Sequence, residues 1–280
     1  MRSGVHPVEG AELYYEVRGS GPALLMISGA GGDAGYTAAA ADLLADAFTV
    51  ISYDRRGNSR STGRVDTPMT FDQQADDARA LIEAVAGGKA IVFGNSQGAS
   101  IAMALAARHP AAVAGLIAHE PPAVRVLDDA ERWLAFFDDV SQTFEREGGL
   151  AAITQFVQKI RGEGSYDWPD ELTQRFMGNV DHLFKVEWKV IGTFEPDVQA
   201  LKAAPFPIVM AAGAEDRGEF YARPSVVIAQ RIGAAWVEFP GIHLESVARP
   251  AIFAAALRVV ATGMCTQTAG IPKQWSHAPV

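Results

Sequence analysis

Apolar residues fall along this chain in short, almost unbroken runs. ALLMIS from Ala23, FTVISYD from Phe48, AIVFGN from Ala90 and LIAHE from Leu116 each hold four to seven residues with little alternation. That pattern predicts strands buried on both faces, as in a parallel sheet. AELYYEV, residues 11–17, alternates instead and closes on the turn signal GSGP, so it reads as an edge strand. Between the apolar runs lie two stretches with a helical period, YTAAAADLLADAF and TFDQQADDARALIEAV. The second opens on Thr70 as a cap, with acidic residues in its first turns where the helix dipole favours them. The alternation resumes with PIVMAAG from Pro207, a helix from Ser225, AWVEFPG from Ala235 and a last helix from about Pro250 to Thr262. Strand and helix take turns, which predicts an α/β fold with a mostly parallel, doubly wound sheet and helices on both faces.

The rhythm breaks between about Pro121 and Pro205. That span is rich in helix formers and aromatics, among them Trp133, Phe137, Phe156, Trp168 and Trp188, and contains no convincing strand. It is expected to be an inserted helical lid over residues 121–205, above the C-terminal edge of the sheet. Residues 1–120 and 206–262 then form the core. Residues 263–280 lack periodicity and are expected to be a loosely held tail.

Composition narrows the possibilities. With 49% hydrophobic and 20% charged residues in 280, the chain can build a large core. A formal net charge of -9 leaves no basic footprint for nucleic acid and would be repelled by an anionic membrane surface. The single cysteine, Cys265, excludes an intrachain disulfide framework and a cysteine metal cluster. No segment approaches the roughly 18 apolar residues of a spanning helix, and the N-terminus lacks a signal-like apolar core. A soluble, cytoplasmic setting is the expectation. The aromatic lid and apolar tail leave a homodimer open.

The chemistry concentrates in GNSQG, residues 94–98, which follows a strand and opens an Ala-rich helix. This is a G-x-S-x-G nucleophile elbow in the strand–turn–helix setting that its mechanism requires. Ser96 must adopt a strained backbone to raise its hydroxyl above the sheet. The N–H of Gln97, at the helix start, then faces negative charge developing beside it. A serine hydroxyl is a weak nucleophile until a base activates it, so the elbow predicts a downstream histidine. His243 in FPGIHLESVARP stands on the loop leaving the last predicted strand, where its ring can fall over Ser96. His6, His109, His182 and His277 are badly placed, and alternation along its strand points His119 away from Glu120. A second oxyanion donor is expected from the small-residue loop SGAGG: the N–H of Ala30 first, Gly29 second. DRRGNSRS, residues 54–61, reads as a turn braced by arginine pairing, structural rather than catalytic.

Over about residues 8–262 the chain resembles the α/β-hydrolase superfamily. The resemblance rests on the S-G-A-G-G loop, the D-R-R-G-N-S turn, the G-N-S-Q-G elbow and the P-G-I-H segment. One departure is Ser28, where many members have histidine before the oxyanion glycine. A serine nucleophile argues against haloalkane dehalogenase and epoxide hydrolase activities, which use aspartate.

The resemblance also frames the missing acid of the triad. The common position is the loop after the seventh strand, where AAGAED offers Asp216; the rarer one is the end of the sixth strand, where Glu120 stands. SQGAS followed by HEPP is similar to the zearalenone lactone hydrolases, whose acid is a glutamate at that strand end. Asp216 is followed by Arg217 and can be explained as an ion pair or a helix cap, whereas Glu120 has no lysine or arginine within three residues. Glu120 is favoured, with Asp216 the alternative. The implied activity is ester or lactone hydrolysis of a small organic molecule, with no metal or organic cofactor. Perhydrolase or haloperoxidase-like chemistry, C–C bond hydrolysis and a non-catalytic receptor on the same fold are the rivals.

Overall fold

A computed structural model describes residues 1–64, 66–161 and 168–267. Its strands are β1 (Arg2–Val8), β2 (Ala11–Arg18), β3 (Ala23–Ile27), β4 (Thr49–Tyr53), β5 (Ala90–Asn95), β6 (Val113–His119), β7 (Ile208–Gly213) and β8 (Ala235–Phe239). They form one sheet in the order β1-β2-β4-β3-β5-β6-β7-β8. Only β1–β2 and β2–β4 pair antiparallel; every pair from β4 to β8 is parallel.

The parallel strands are buried on both faces, as their continuous apolar runs require. Leu25, Ile27, Ile51, Val92, Leu116 and Met210 point into one core layer, and Leu24, Met26, Val50, Ile91, Ile117 and Val209 into the other. On the first face lie α2 (Phe71–Val85) and α3 (Gln97–Arg108); on the second lie α1 (Ala38–Leu44) and α11 (Pro250–Gln267). Thr70 caps α2 as expected: its Oγ1 accepts from Gln73 N at 3.1 Å.

Three expectations need correction. AELYYEV is not the edge strand, because β1 pairs with it along its whole length from Arg2↔Val17 to Val8↔Ala11. β1 was hidden by its composition, RSGVHPV, in which Gly4 and Pro7 are tolerated because its outer side has no ladder to complete. The helix expected from Ser225 is α9 (Arg223–Ile232), which begins earlier with Pro224 in its first turn. α11 runs past Thr262 to Gln267, so the start of the expected tail is helical; residues 268–280 lie outside the described residues.

Between β6 and β7 the described residues hold helices and no strand: α4 (Ala130–Glu147), α5 (Gly149–Arg161), α6 (Asp170–His182), a π-helical turn (Leu183–Glu187), α7 (Trp188–Ile191) and α8 (Val198–Lys202). The remaining short helix, α10 (Glu245–Ala248), follows β8. The insertion's aromatics pack on one another. Trp188 lies 5.4 Å from Phe137 and 4.9 Å from Phe156 between ring centroids, and its indole N–H donates to Phe137 O at 2.9 Å. Among the described residues no helix is long and apolar enough to cross a membrane.

Candidate active site

The site is built where two neighbouring strands end. β5 and β6 pair through Asn95↔His119, and the next residue of each chain segment leaves the sheet: Ser96 N donates to His119 O at 2.9 Å, and Glu120 N to Ala211 O at 3.0 Å. Both turn through left-handed backbone, Ser96 at φ 57° and Glu120 at φ 51°; among the described residues only Ser59 shares this with them outside glycine. Such a conformation costs about 1–3 kcal/mol at a non-glycine residue and persists where the surroundings over-determine it. At Ser96 the surroundings are the elbow itself. A Cβ on Gly94 would lie 2.2 Å from Gly98 O, and one on Gly98 2.1 Å from Ile27 O, so strand, turn and helix meet at backbone distance.

Glu120 is fully buried and uses both carboxylate oxygens. Oε1 accepts from Gly213 N at 2.8 Å, and Oε2 faces His243 Nδ1 at 2.6 Å. Burial alone would raise the pKa of Glu120. The His119 and His243 rings and the Gly213 N–H more than offset this, so it sits below the ordinary carboxylate range. An ionised carboxylate only accepts, so the contact places a ring N–H at His243 Nδ1 and leaves Nε2 on the side of the ring away from Glu120. Behind this pair, His119 Nδ1 lies 2.7 Å from Asn95 Oδ1, and Asn95 Nδ2 donates to the His243 carbonyl at 3.2 Å. Burial pushes the His119 pKa down. The expectation that His119 points away from Glu120 fails: its Nδ1 stands 3.6 Å from Oε2. Alternation ends with the strand, and the positive φ at Glu120 swings that side chain back.

Asp216 makes no such bond with the His243 ring. Its Oδ2 is buried without a hydrogen-bond partner, and its neighbours are the Tyr221 hydroxyl and the backbone of His243. Burial, reinforced by the Glu120 charge, raises its pKa to about 6. Of the two explanations offered for Asp216, an ion pair or a helix cap, the ion pair with Arg217 is absent, since Arg217 binds Glu238 on β8. Asp216 and Arg217 are adjacent in a turn, and the turn sends their side chains in different directions.

Ser96, Gln97, Ala30 and His243 line one pocket. Its other walls are apolar: Pro122, Phe137, Phe156, Ile160, Ile191, Phe220 and the ring of Tyr221, which packs 4.3 Å from the His243 ring. Gly29 stands against the serine, where a Cβ would come within 2.8 Å of Ser96 Cβ. No group of three or more His, Cys, Asp or Glu suited to a metal ion occurs among the described residues.

The DRRGNSRS turn is braced by arginines as anticipated, with Arg56 on Asp77 at 2.6 Å and Arg60 on Asp54 at 2.6 Å. Arg55 behaves differently. It is fully buried and donates to the small-residue loop at Gly29 O, 2.8 Å away. This residue, together with Asn95 and Tyr221, escaped the sequence reading, which set His119 aside. The only signal for Arg55 was a doubled arginine in one turn.

The comparisons agree with this architecture. A model of the family described as "alpha/beta hydrolase fold" matches residues 22–224, and the chain belongs to that family. It is an α/β-hydrolase enzyme. The chain is 34% identical over 250 residues to the uncharacterized hydrolase YraK of Bacillus subtilis, covering 87% of this chain and 90% of that protein. It is 26% identical over 262 residues to a zearalenone hydrolase of Bionectria ochroleuca, covering 90% and 95% respectively. An esterase from Thermogutta terrifontis superimposes with a TM-score of 0.75 at 20% identity, over 94% of this chain and 99% of that one, a likeness of fold.

Proposed function

We propose that the enzyme hydrolyses a small, neutral carboxylic ester or lactone through Ser96, His243 and Glu120, with residues 121–205 serving as the lid that roofs the site. The observation that carries this reading is the 2.6 Å contact of Glu120 with His243 Nδ1, beside a strained Ser96 in the same pocket. His243 Nε2 takes the hydroxyl proton as Ser96 Oγ bonds to the substrate carbonyl carbon, and the carbonyl electron pair moves onto oxygen. The N–H groups of Gln97 and Ala30 hold that oxyanion in an apolar pocket, where such bonds are worth most. Collapse expels the alkoxide, which recovers the proton from His243. Water then repeats the sequence on the acyl-enzyme, releasing the acid and restoring Ser96. The uncharged walls favour a substrate without formal charge, and the likeness to a zearalenone hydrolase makes lactones the first class to screen.

The test combines turnover with labelling. A fluorophosphonate probe is expected to modify the wild type at Ser96, located by mass spectrometry, and to leave Ser96→Ala unmodified. Ser96→Ala should hydrolyse an activated aryl ester at least about 10³-fold more slowly. Undiminished turnover by that variant would refute the triad. A wild type that turns over neither aryl esters nor lactones would point to a binding protein on this fold.

A further inference from the structure

Arg55 and Glu187 form an ion pair whose two side chains are both fully buried, Nη2 to Oε2 at 2.8 Å and Nη1 to Oε1 at 3.1 Å. The pair joins distant parts of the chain. Arg55 leaves the turn after β4, and Glu187 closes the π-helical turn of the insertion, a geometry that recurs at functional sites. Asn58 Nδ2 donates a further bond to Glu187 Oε1 at 2.8 Å. The guanidinium continues beyond its partner: Nη2 also faces Gly29 O at 2.8 Å and Gln97 Oε1 at 3.1 Å. These are the two residues that bracket the oxyanion site.

The Gly29 carbonyl belongs to the same peptide unit as the Ala30 N–H. No peptide bond in the described chain is cis, so the two groups point in opposite directions across a rigid plane. A donor that holds the carbonyl therefore aims the N–H. Arg55 and Gly32 N, at 3.1 Å, hold that carbonyl from outside the pocket, and Ala30 lines the pocket with Ser96. A charged donor on the carbonyl also polarises the peptide, making its N–H a stronger donor. We infer that Arg55 is a positioning residue for the oxyanion hole, and that Glu187 makes this positioning depend on the insertion being docked. This rests on the reading of Ala30 N–H as an oxyanion donor.

The remaining contacts of the loop point the same way. From α6 of the insertion, Arg175 reaches Asp33 at 2.5 Å and Asn179 Nδ2 donates to Gly31 O at 2.8 Å. The loop that supplies the donor is thus held from its back by the sheet turn and the insertion together.

Removing Arg55 alone would strand a buried carboxylate, which is a folding defect in its own right. The informative variant is Arg55→Met combined with Glu187→Met, since replacing both members of a buried pair by apolar groups is often neutral for folding. Full-length wild type, the double variant and Ser96→Ala are compared on an activated aryl ester, with Tm recorded for each. Affinity for an arylboronic acid, whose tetrahedral serine adduct places an oxygen in the oxyanion hole, is measured alongside. The double variant should keep its Tm and KM but lose about 100-fold in kcat, with a parallel loss in boronic acid affinity. Wild-type kcat and boronic acid affinity in the double variant would overturn the inference while the triad stands. An active Ser96→Ala would overturn the triad reading itself. If the double variant fails to fold, Arg55→Lys carries the test. It keeps the charge but not the fork geometry, and should lose at least about tenfold in kcat at constant KM, an unchanged kcat being the contrary result.

Discussion

Glu120 and Asp216 offer two carboxylates to the same histidine, one from the end of β6 and the other from the loop after β7. Their surroundings have separated them. Glu120 has a donor on each oxygen and stays ionised below its ordinary range. Asp216 keeps one buried oxygen unpartnered and holds its proton up to about pH 6. A triad acid must be charged and directional at neutral pH, which requires satisfied lone pairs more than proximity. For the proposed triad, the donors around each carboxylate therefore favour Glu120 over Asp216.

The contrast can be broken most directly by neutralising each carboxylate in turn. Glu120→Gln should lower kcat on an activated ester by about 10³- to 10⁴-fold, because an amide cannot hold His243 in the required tautomer. Asp216→Asn should stay within about threefold of wild type. A reversal of those two results would assign the acid to the β7 loop.

Glu187 extends the comparison to a second fully buried carboxylate, partnered like Glu120 but by a permanent cation. Burial opposes its charge, yet Arg55 and His182 bring its pKa down to about 2, from an ordinary value of 4.5. Its proton affinity is thus lower folded than unfolded, so the stabilisation is present above about pH 4.5 and is lost as pH falls toward 2. The shift corresponds to about 3 kcal/mol. Denaturant titrations across that range should show a shallower acid limb for Arg55→Met with Glu187→Met than for the wild type.

Asp216 should behave with the opposite sign. Its folded pKa of about 6 exceeds the ordinary 3.8, so the folded state binds more protons between those values and loses stability as pH rises through them. Asp216→Asn should remove that slope from a plot of Tm against pH. The smallest effect is expected at Arg217, which pairs with Glu238 at the surface. Arg217→Ala should shift Tm by less than about 2 °C and leave the Asp216 slope intact. A lost slope would mean that Arg217 governs Asp216 after all.

Much of this molecule was legible before any coordinates. Strands β3, β4, β5, β7 and β8 fall on the apolar runs that predicted them, and Thr70 caps the helix it was expected to cap. Ser96 and His243, singled out from an elbow confined to five residues and from a place after the last strand, meet in one pocket. What stayed hidden was of another kind. β1 has no apolar face to announce it. His119 was misdirected by an alternation that stops one residue before Glu120. Arg55 and Arg56 are neighbours of the same type, and nothing local distinguishes the one that meets the Gly29 carbonyl from the one that pairs with Asp77 on α2.

The division follows from the range of the forces involved. Burial pattern, capping and the elbow's glycines depend on residues within a few positions of one another, so the sequence by itself determined the α/β framework and pointed to Ser96 and His243 as candidates. The partner of His243, the proton on Asp216 and the inward turn of Arg55 depend on desolvation and on partners far away in the chain, as with Glu187, which accepts from Arg55 across 132 positions. Those were decided only when the tertiary structure closed around them, because a charge's environment is a property of everything packed against it.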